Sequence, residues 1–92
     1  MTLRIDVLAG AGTQTIVLHG WLSKAEVLEF ERVASEAGLP LRIDLGQLVG
    51  ADAEGWRSLS RQKPRGACLT GASPYIELLL EGAAETEREP QK

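Results

Sequence analysis

The sequence predicts a single α/β domain with a mixed four-stranded sheet, in the order β-β-α-β-α-β-α, and with the helices packed on one face. Three observations carry this prediction: two short strand-like segments near the N-terminus, one sharply delimited amphipathic helix, and glycine and proline stops between the later elements. The chain has 92 residues, of which 43% are hydrophobic and 25% charged, which fits one globular domain.

The first two strands are predicted from their alternation and from the turn between them. Apolar and polar residues alternate over 3–7, which is the period of a half-buried strand. A glycine-rich turn at 9–12 leads to a second β-rich segment at 13–19, so the two strands can form an antiparallel hairpin. Val17 and His19 lie on the face of the second strand that we expect to be less covered.

The first helix has clear signals at both ends. Ser23 and Glu26 form the sequence pattern of a capping box, with serine at N-cap and glutamate at N3. Gly38 and Pro40 end the helix, because glycine suits the position after a helix and proline prevents its continuation. Its apolar face has helical spacing and comprises Val27, Phe30, Ala34 and Ala37.

The middle of the chain predicts a third strand over 41–45, again from period-2 alternation, followed by a loop at 46–51. Asp52 can cap a short helix that extends to about Gln62, with Trp56 facing inward. The helical connections should form right-handed crossovers, so strands two to four are predicted to be parallel. The first strand is then antiparallel beside them.

The last elements are a short buried strand over 67–70 and a third helix. Cys68 lies in the apolar run of this strand, which favours a small core residue over a reactive thiol. Ser73 and Pro74 are typical of an N-cap followed by proline at N1, and Gly82 is expected to close the helix.

The predicted domain boundaries follow from where large apolar residues cease. Residues 1–82 are expected to form the folded domain, and 83–92 a flexible charged tail. The N-terminal segment 1–6 lacks the shape of a signal peptide, and the apolar runs are far shorter than the ~20 residues of a membrane span. We therefore expect a cytoplasmic protein that does not insert into a membrane.

The composition argues against several classes of function. There are 10 basic and 13 acidic residues, and the densest basic stretch, 57–65, is more typical of a solvated surface than of a nucleic-acid interface. The chain has one histidine, His19, and one cysteine, so no His/Cys metal cluster is available. No nucleophile–base–orienter set is visible around His19, and we predict neither catalytic residues nor a cofactor.

The segment 41–59 resembles the central motif of STAS domains, the sulfate transporter and anti-sigma factor antagonist family, in the form of a small stand-alone protein. The residues that match the family pattern are Asp44-Leu45, Asp52-x-x-Gly55 and Leu18-x-Gly20-x-Leu22. The order of elements agrees over about residues 3–82. The resemblance implies the same mixed sheet, a non-catalytic protein-interaction module, and no enzyme activity.

The resemblance also implies a partner and a switch. Anti-sigma factor antagonists act in bacterial partner switching, in the regulation of transcription, by binding an ATPase-fold anti-sigma kinase. In the family, phosphorylation of the hydroxyl that follows the motif aspartate abolishes binding. In this chain that position is Ala53, so no phosphorylation site is expected there and binding should be constitutive. Two alternatives stay open: an accessory subunit of an ABC-type lipid transporter, which would bind its ATPase subunit, and a module that binds a small ligand such as a nucleotide.

The resemblance places the partner-binding site at the end of the second strand and the start of the second helix. Trp56 can be either a core residue or an interface anchor, and the same two interpretations apply to Trp21, for which exposure is favoured. Glu54 can act as a constant negative charge or simply complement the helix dipole. The predicted site residues are Trp21, Leu22, Ser23, Asp52, Ala53, Glu54, Gly55 and Trp56.

Overall fold

The computed structural model describes residues 3–88, with side chains described for residues 3–83. Strands and helices alternate after an initial pair of strands. In chain order the elements are β1 (Leu3–Ala9), β2 (Gln14–Leu22), a 3₁₀ turn (Lys24–Glu26), α1 (Val27–Ala37), β3 (Leu41–Asp44), β4 (Leu48–Ala51), α2 (Ala53–Gln62), β5 (Cys68–Thr70) and α3 (Pro74–Arg88).

The sheet has the mixed topology that the sequence predicts. β1 pairs antiparallel with β2, and β2 pairs parallel with β3, which pairs parallel with β5. The strand order is therefore β1-β2-β3-β5, with β4 attached to β2. The antiparallel hairpin, the parallel crossovers and the three helices are all confirmed.

The sheet has five strands rather than the predicted four. Leu48–Ala51 was expected to be part of a loop but forms β4, which pairs with the C-terminal end of β2. β2 has nine residues and β3 only four, so β3 covers only the first part of that edge of β2. β4 pairs with the remainder, and this satisfies backbone groups that the sheet would otherwise leave without partners.

The hydrophobic core lies between the three helices and one face of the sheet. Ile16 and Leu18 of β2 are completely buried on this face, whereas Val17 and His19 on the opposite face are half-buried. The helices contribute their main buried apolar side chains to the same cluster, namely Phe30, Ala34, Trp56, Leu59, Ile76 and Leu80. The helices therefore cover one face of the sheet, and no helix of residues 3–88 covers the other face, which we call the open face.

β5 is an edge strand, and this corrects the prediction of a buried strand over 67–70. Cys68 is exposed. It pairs with Arg42, which is also exposed, whereas the neighbouring Leu69 packs against the core. An apolar run at a sheet edge thus places alternate residues on the open face.

α3 begins as predicted but ends later. Ser73 accepts a hydrogen bond at its Oγ from the Ile76 N–H (3.2 Å), which confirms the cap in front of Pro74. The helix does not stop at Gly82 but continues to Arg88, because one glycine in a helix interior costs only ~1 kcal/mol relative to alanine. The predicted tail at 83–92 is therefore helical over its first part, and residues 89–92 lie outside the described residues.

Candidate interaction site

The carboxylate of Asp52 lies at the centre of the predicted site and joins two chain segments. Its Oδ1 accepts a hydrogen bond from Trp21 Nε1–H (2.9 Å), and its Oδ2 accepts one from the backbone N–H of Lys24 (2.9 Å). These bonds favour the charged carboxylate, and the Lys24 N–H, followed by the Trp21 indole, lowers the pKa of Asp52. Asp52 therefore holds the end of β2 and the turn that follows it.

The position of Asp52 in front of α2 is as predicted, but its side chain does not cap that helix. Asp52 is the N-cap residue by backbone conformation, and its carbonyl oxygen accepts the N–H of Trp56 (3.0 Å). Its own N–H donates to the carbonyl of Leu22 (3.1 Å). The carboxylate is instead used by Trp21 and Lys24, and α2 has no side-chain cap hydrogen bond.

The predicted capping box at Ser23 and Glu26 is also replaced by a different arrangement. A 3₁₀ turn precedes α1, which begins at Val27, and Ser23 makes no capping bond to the backbone. Its Oγ instead donates to Glu26 Oε1 (2.8 Å), while Glu26 Oε2 accepts the backbone N–H of Leu3 (3.2 Å). The free N–H at the start of this turn, that of Lys24, is instead bonded by the carboxylate of Asp52, which lies 28 positions further along the chain.

Two glycines allow the close approaches that shape the site. A Cβ on Gly55 would lie 2.5 Å from the carbonyl oxygen of Leu22 and 2.8 Å from Ala51 Cβ. A Cβ on Gly50 would lie 2.6 Å from Trp21 Cζ3, so the indole ring covers this glycine. Gly55 thus lets α2 start directly against β2, which gives a physical reason for the glycine in the motif.

Burial divides the predicted contact residues into two groups. Leu22 is completely buried, Gly55 is buried, and Trp56 is 9% exposed, so these three form the support of the site and not its surface. Trp56 is therefore a core residue and not an exposed interface anchor. The residues that reach the surface are Ala53, which is exposed, and Trp21, Ser23, Asp52 and Glu54, which are half-buried.

The start of α2 carries a compensated charge. Glu54 Oε2 accepts a hydrogen bond from Arg57 Nη1 at 3.0 Å, and both side chains are partly exposed. This ion pair one turn apart, together with the position of Glu54 in the first turn, supports its role as a partner of the helix dipole.

The hydroxyl groups further along α2 are not available at the surface. Ser58 is completely buried, and its Oγ donates to Glu31 Oε2 of α1 at 2.7 Å. The same Glu31 oxygen accepts a bond from Arg61 Nη2 at 3.0 Å. Burial opposes ionisation of Glu31, but the bonds from Ser58 and Arg61 outweigh it, and the pKa of Glu31 is lowered. This network joins α1 to α2 beneath the site.

Sequence reasoning missed two exposed hydrophobic residues that lie close in the chain to segments of the site. Leu28, four residues after Lys24, is 80% exposed, and Val49, directly before Gly50, is 62% exposed. Leu28 had a sequence signal, since it falls outside the apolar face that contains Phe30 and Ala34. Val49 had none, because its segment was expected to be a loop.

The architecture matches that of a known class of domain. The chain has a STAS-like fold, and eleven chains of solved structures match it. One is the anti-sigma factor antagonist SpoIIAA in its unphosphorylated form, with a TM-score of 0.64 and 14% sequence identity, over 87% of this chain and 82% of that one. No protein-family model matches the sequence, and a search of curated proteins found no match. The recognition of a STAS-like domain from sequence is confirmed at the level of the fold.

Across the described residues, no helix has both the length and the apolar composition required to cross a bilayer.

Proposed function

We propose that the chain is a non-catalytic cytosolic module of the anti-sigma factor antagonist type, which binds an ATPase-fold kinase-like partner without a phosphorylation switch. The observation that carries the proposal is the exposed Ala53 at the first position of α2. By the family resemblance, Ala53 stands at the position of the hydroxyl whose phosphorylation would abolish binding. It directly follows Asp52, whose carboxylate bonds Trp21.

The surroundings of Ala53 support constitutive binding. Among the serines of α2, Ser58 is completely buried and Ser60 is 9% exposed, so neither offers a substitute acceptor to an enzyme that approaches the start of the helix. Glu54 is paired with Arg57, so its charge beside Ala53 is compensated. Leu28 and Val49, close in the chain to Lys24 and Gly50, are exposed apolar side chains of the kind found at the centres of interfaces.

The experiment begins with affinity capture from the source cells, using the wild-type chain and the Ala53→Asp variant in parallel. We expect an ATPase-fold partner on the wild type only. An uncompensated charge in an interface is strongly unfavourable, so Ala53→Asp should weaken binding at least ~tenfold in a titration with the purified partner. Ala11→Asp is the matched control, because Ala11 is an exposed alanine in the turn at the opposite end of β2.

Intact-mass spectrometry after incubation with the partner and ATP tests the absence of the switch. The mass should be unchanged. Phosphate on any residue between Gly50 and Leu59 would contradict constitutive binding, and equal affinity for Ala53→Asp would place the interface elsewhere. Capture of an ABC-type ATPase would instead indicate the transporter alternative.

A further inference from the structure

One edge of the sheet, along β1, has no strand partner among the described residues. The Gly10 N–H donates to the Thr13 carbonyl (2.9 Å), so this pair is hydrogen-bonded across the hairpin. Hydrogen-bonded pairs recur at every second position of an antiparallel ladder. The polar backbone groups of Arg4, Asp6 and Leu8 therefore point to β2, and those that point to the open edge belong to Leu3, Ile5, Val7 and Ala9.

A side chain covers one end of this edge. The N–H of Leu3 donates to the Glu26 carboxylate, which covers the edge there. Further along, Val7 is 50% and Leu8 is 56% exposed. An open edge with exposed apolar side chains is a template for pairing with another strand.

We propose that a second copy of this chain pairs antiparallel with this edge, with Ile5 opposite Ile5 of the second copy. In this register Arg4 of each copy, which also bonds Asp6 of its own chain (3.2 Å), lies opposite Asp6 of the other copy. A two-fold symmetric contact therefore forms two cross-strand pairs of opposite charge. The backbone N–H of each Ile5 donates to the carbonyl of Ile5 in the other copy. Each Val7 N–H donates to the Leu3 carbonyl of the other copy, and the Leu3 N–H keeps its bond to Glu26.

The charges select this register over its neighbours. With Asp6 opposite Asp6, two like charges would face each other directly, which is unfavourable. With Val7 opposite Val7, Asp6 would face the apolar Leu8. Only the Ile5-centred register among these three uses the Arg4 and Asp6 side chains in complementary positions, and it extends the apolar face formed by Leu3, Ile5 and Val7.

The proposed dimer leaves the part of the candidate interaction site around Ala53 accessible. Gly20 of β2 pairs with Leu3 of β1 on one side and with Leu48 of β4 on the other, so β1 and β4 lie on opposite edges of β2. The site around Ala53 follows β4. Dimerisation through β1 therefore does not depend on the proposed function. A dimer would carry two candidate interaction sites, one on each copy.

The test is sedimentation equilibrium of the full chain over a range of concentrations, with four samples beside the wild type. Arg4→Asp and Asp6→Lys each replace the two attractive pairs with two repulsive ones, so each variant alone should dimerise at least ~tenfold more weakly. The double variant Arg4→Asp/Asp6→Lys restores both pairs in the same register and should regain the dimer. An equimolar mixture of the two single variants should form heterodimers, because their charges are then complementary at both positions.

Far-UV circular dichroism and thermal unfolding of each variant check that the fold is retained, since Asp6 also contacts Arg4 (3.2 Å) and His19 (3.1 Å) within its own chain. A wild type that is monomeric at every concentration overturns the proposal. So does a dimer whose affinity is unaffected by the single variants, or one that the double variant does not restore.

Discussion

The indole of Trp21 and the carboxylate of Asp52 are 31 positions apart in the chain and are joined by a 2.9 Å hydrogen bond. Because Asp52 also holds the N–H of Lys24, one side chain connects the end of β2, the turn before α1 and the start of α2. The geometry of the candidate site therefore depends on a single ionised carboxylate.

Acid should weaken this connection. The folded-state pKa of Asp52 is below its ordinary value, so its stabilising contribution is complete above about pH 4, the ordinary pKa of aspartate, and is lost as the pH falls through the lowered pKa. Trp21→Phe removes the indole donor and should move the pKa of Asp52 up towards the ordinary value. An NMR titration of the Asp52 carboxyl measures this shift. Trp56→Phe is the control, because its ring does not bond to Asp52, and an equal shift in both variants would contradict the assignment.

The start of α1 should depend more on Asp52 than on Ser23. Ser23→Ala loses only a side-chain bond to Glu26, so we expect a loss of about 0.5 kcal/mol in urea unfolding, less than the ~1 kcal/mol typical of a removed N-cap. Asp52→Asn offers an amide N–H₂ to one of two donors and should be the more destabilising variant. A larger effect of Ser23→Ala than of Asp52→Asn would show that the capping box operates after all.

The close approach at Gly55 gives a prediction with a matched control. In Gly55→Ala the new Cβ would lie 2.5 Å from the Leu22 carbonyl oxygen, which is backbone and cannot rotate away, so we expect destabilisation of about 1–3 kcal/mol. Gly82→Ala in α3 has nothing within 4 Å of the new Cβ and should be neutral or stabilising, by up to about 1 kcal/mol. Calorimetric unfolding of both variants separates the effect of packing from that of helix propensity. Equal changes in stability for the two variants would contradict the close contact between residue 55 and Leu22.

The bond between Ser58 and Glu31 should contribute measurably to stability. Ser58→Ala removes a donor to a charged acceptor beneath the site and should cost about 1–2 kcal/mol in urea unfolding. Ser35→Ala, at an exposed position of α1, should change stability by less than about 0.5 kcal/mol. In a double-mutant cycle with Glu31→Gln, the absence of coupling would argue against the bond.

Local patterns predict most of the fold, and pairings between distant segments account for what they miss. Alternation, helical spacing and the glycine and proline stops locate the hairpin, α1 and α2, because those signals depend on neighbouring residues, although neither Ser23 nor Asp52 caps its helix with its side chain. β4 could not be found in this way, since its formation depends on the unpaired end of β2 near Gly20. Leu22 and Gly55 were predicted to contact a partner, but both are buried.

The role of Asp52 shows the same limit at the level of chemistry. A carboxylate directly before a helix predicts a cap, and only the folded chain brings Trp21 and Lys24 close enough to compete for it. Cys68 was assigned to the core from its apolar neighbours, yet exposure at that position depends on β5 being the outermost strand.

The attachment of β1, β3 and β4 to the single strand β2 has a consequence for recognition. Trp21 of the candidate site belongs to the strand with the most partners in the sheet. Its ring packs against Gly50 and donates a hydrogen bond to Asp52. The surface is therefore ordered before any partner arrives, and little rotational freedom of this side chain is lost on association. A partner that binds here would encounter a rigid template, so differences in affinity between variants should appear in the lifetime of the complex more than in its rate of formation.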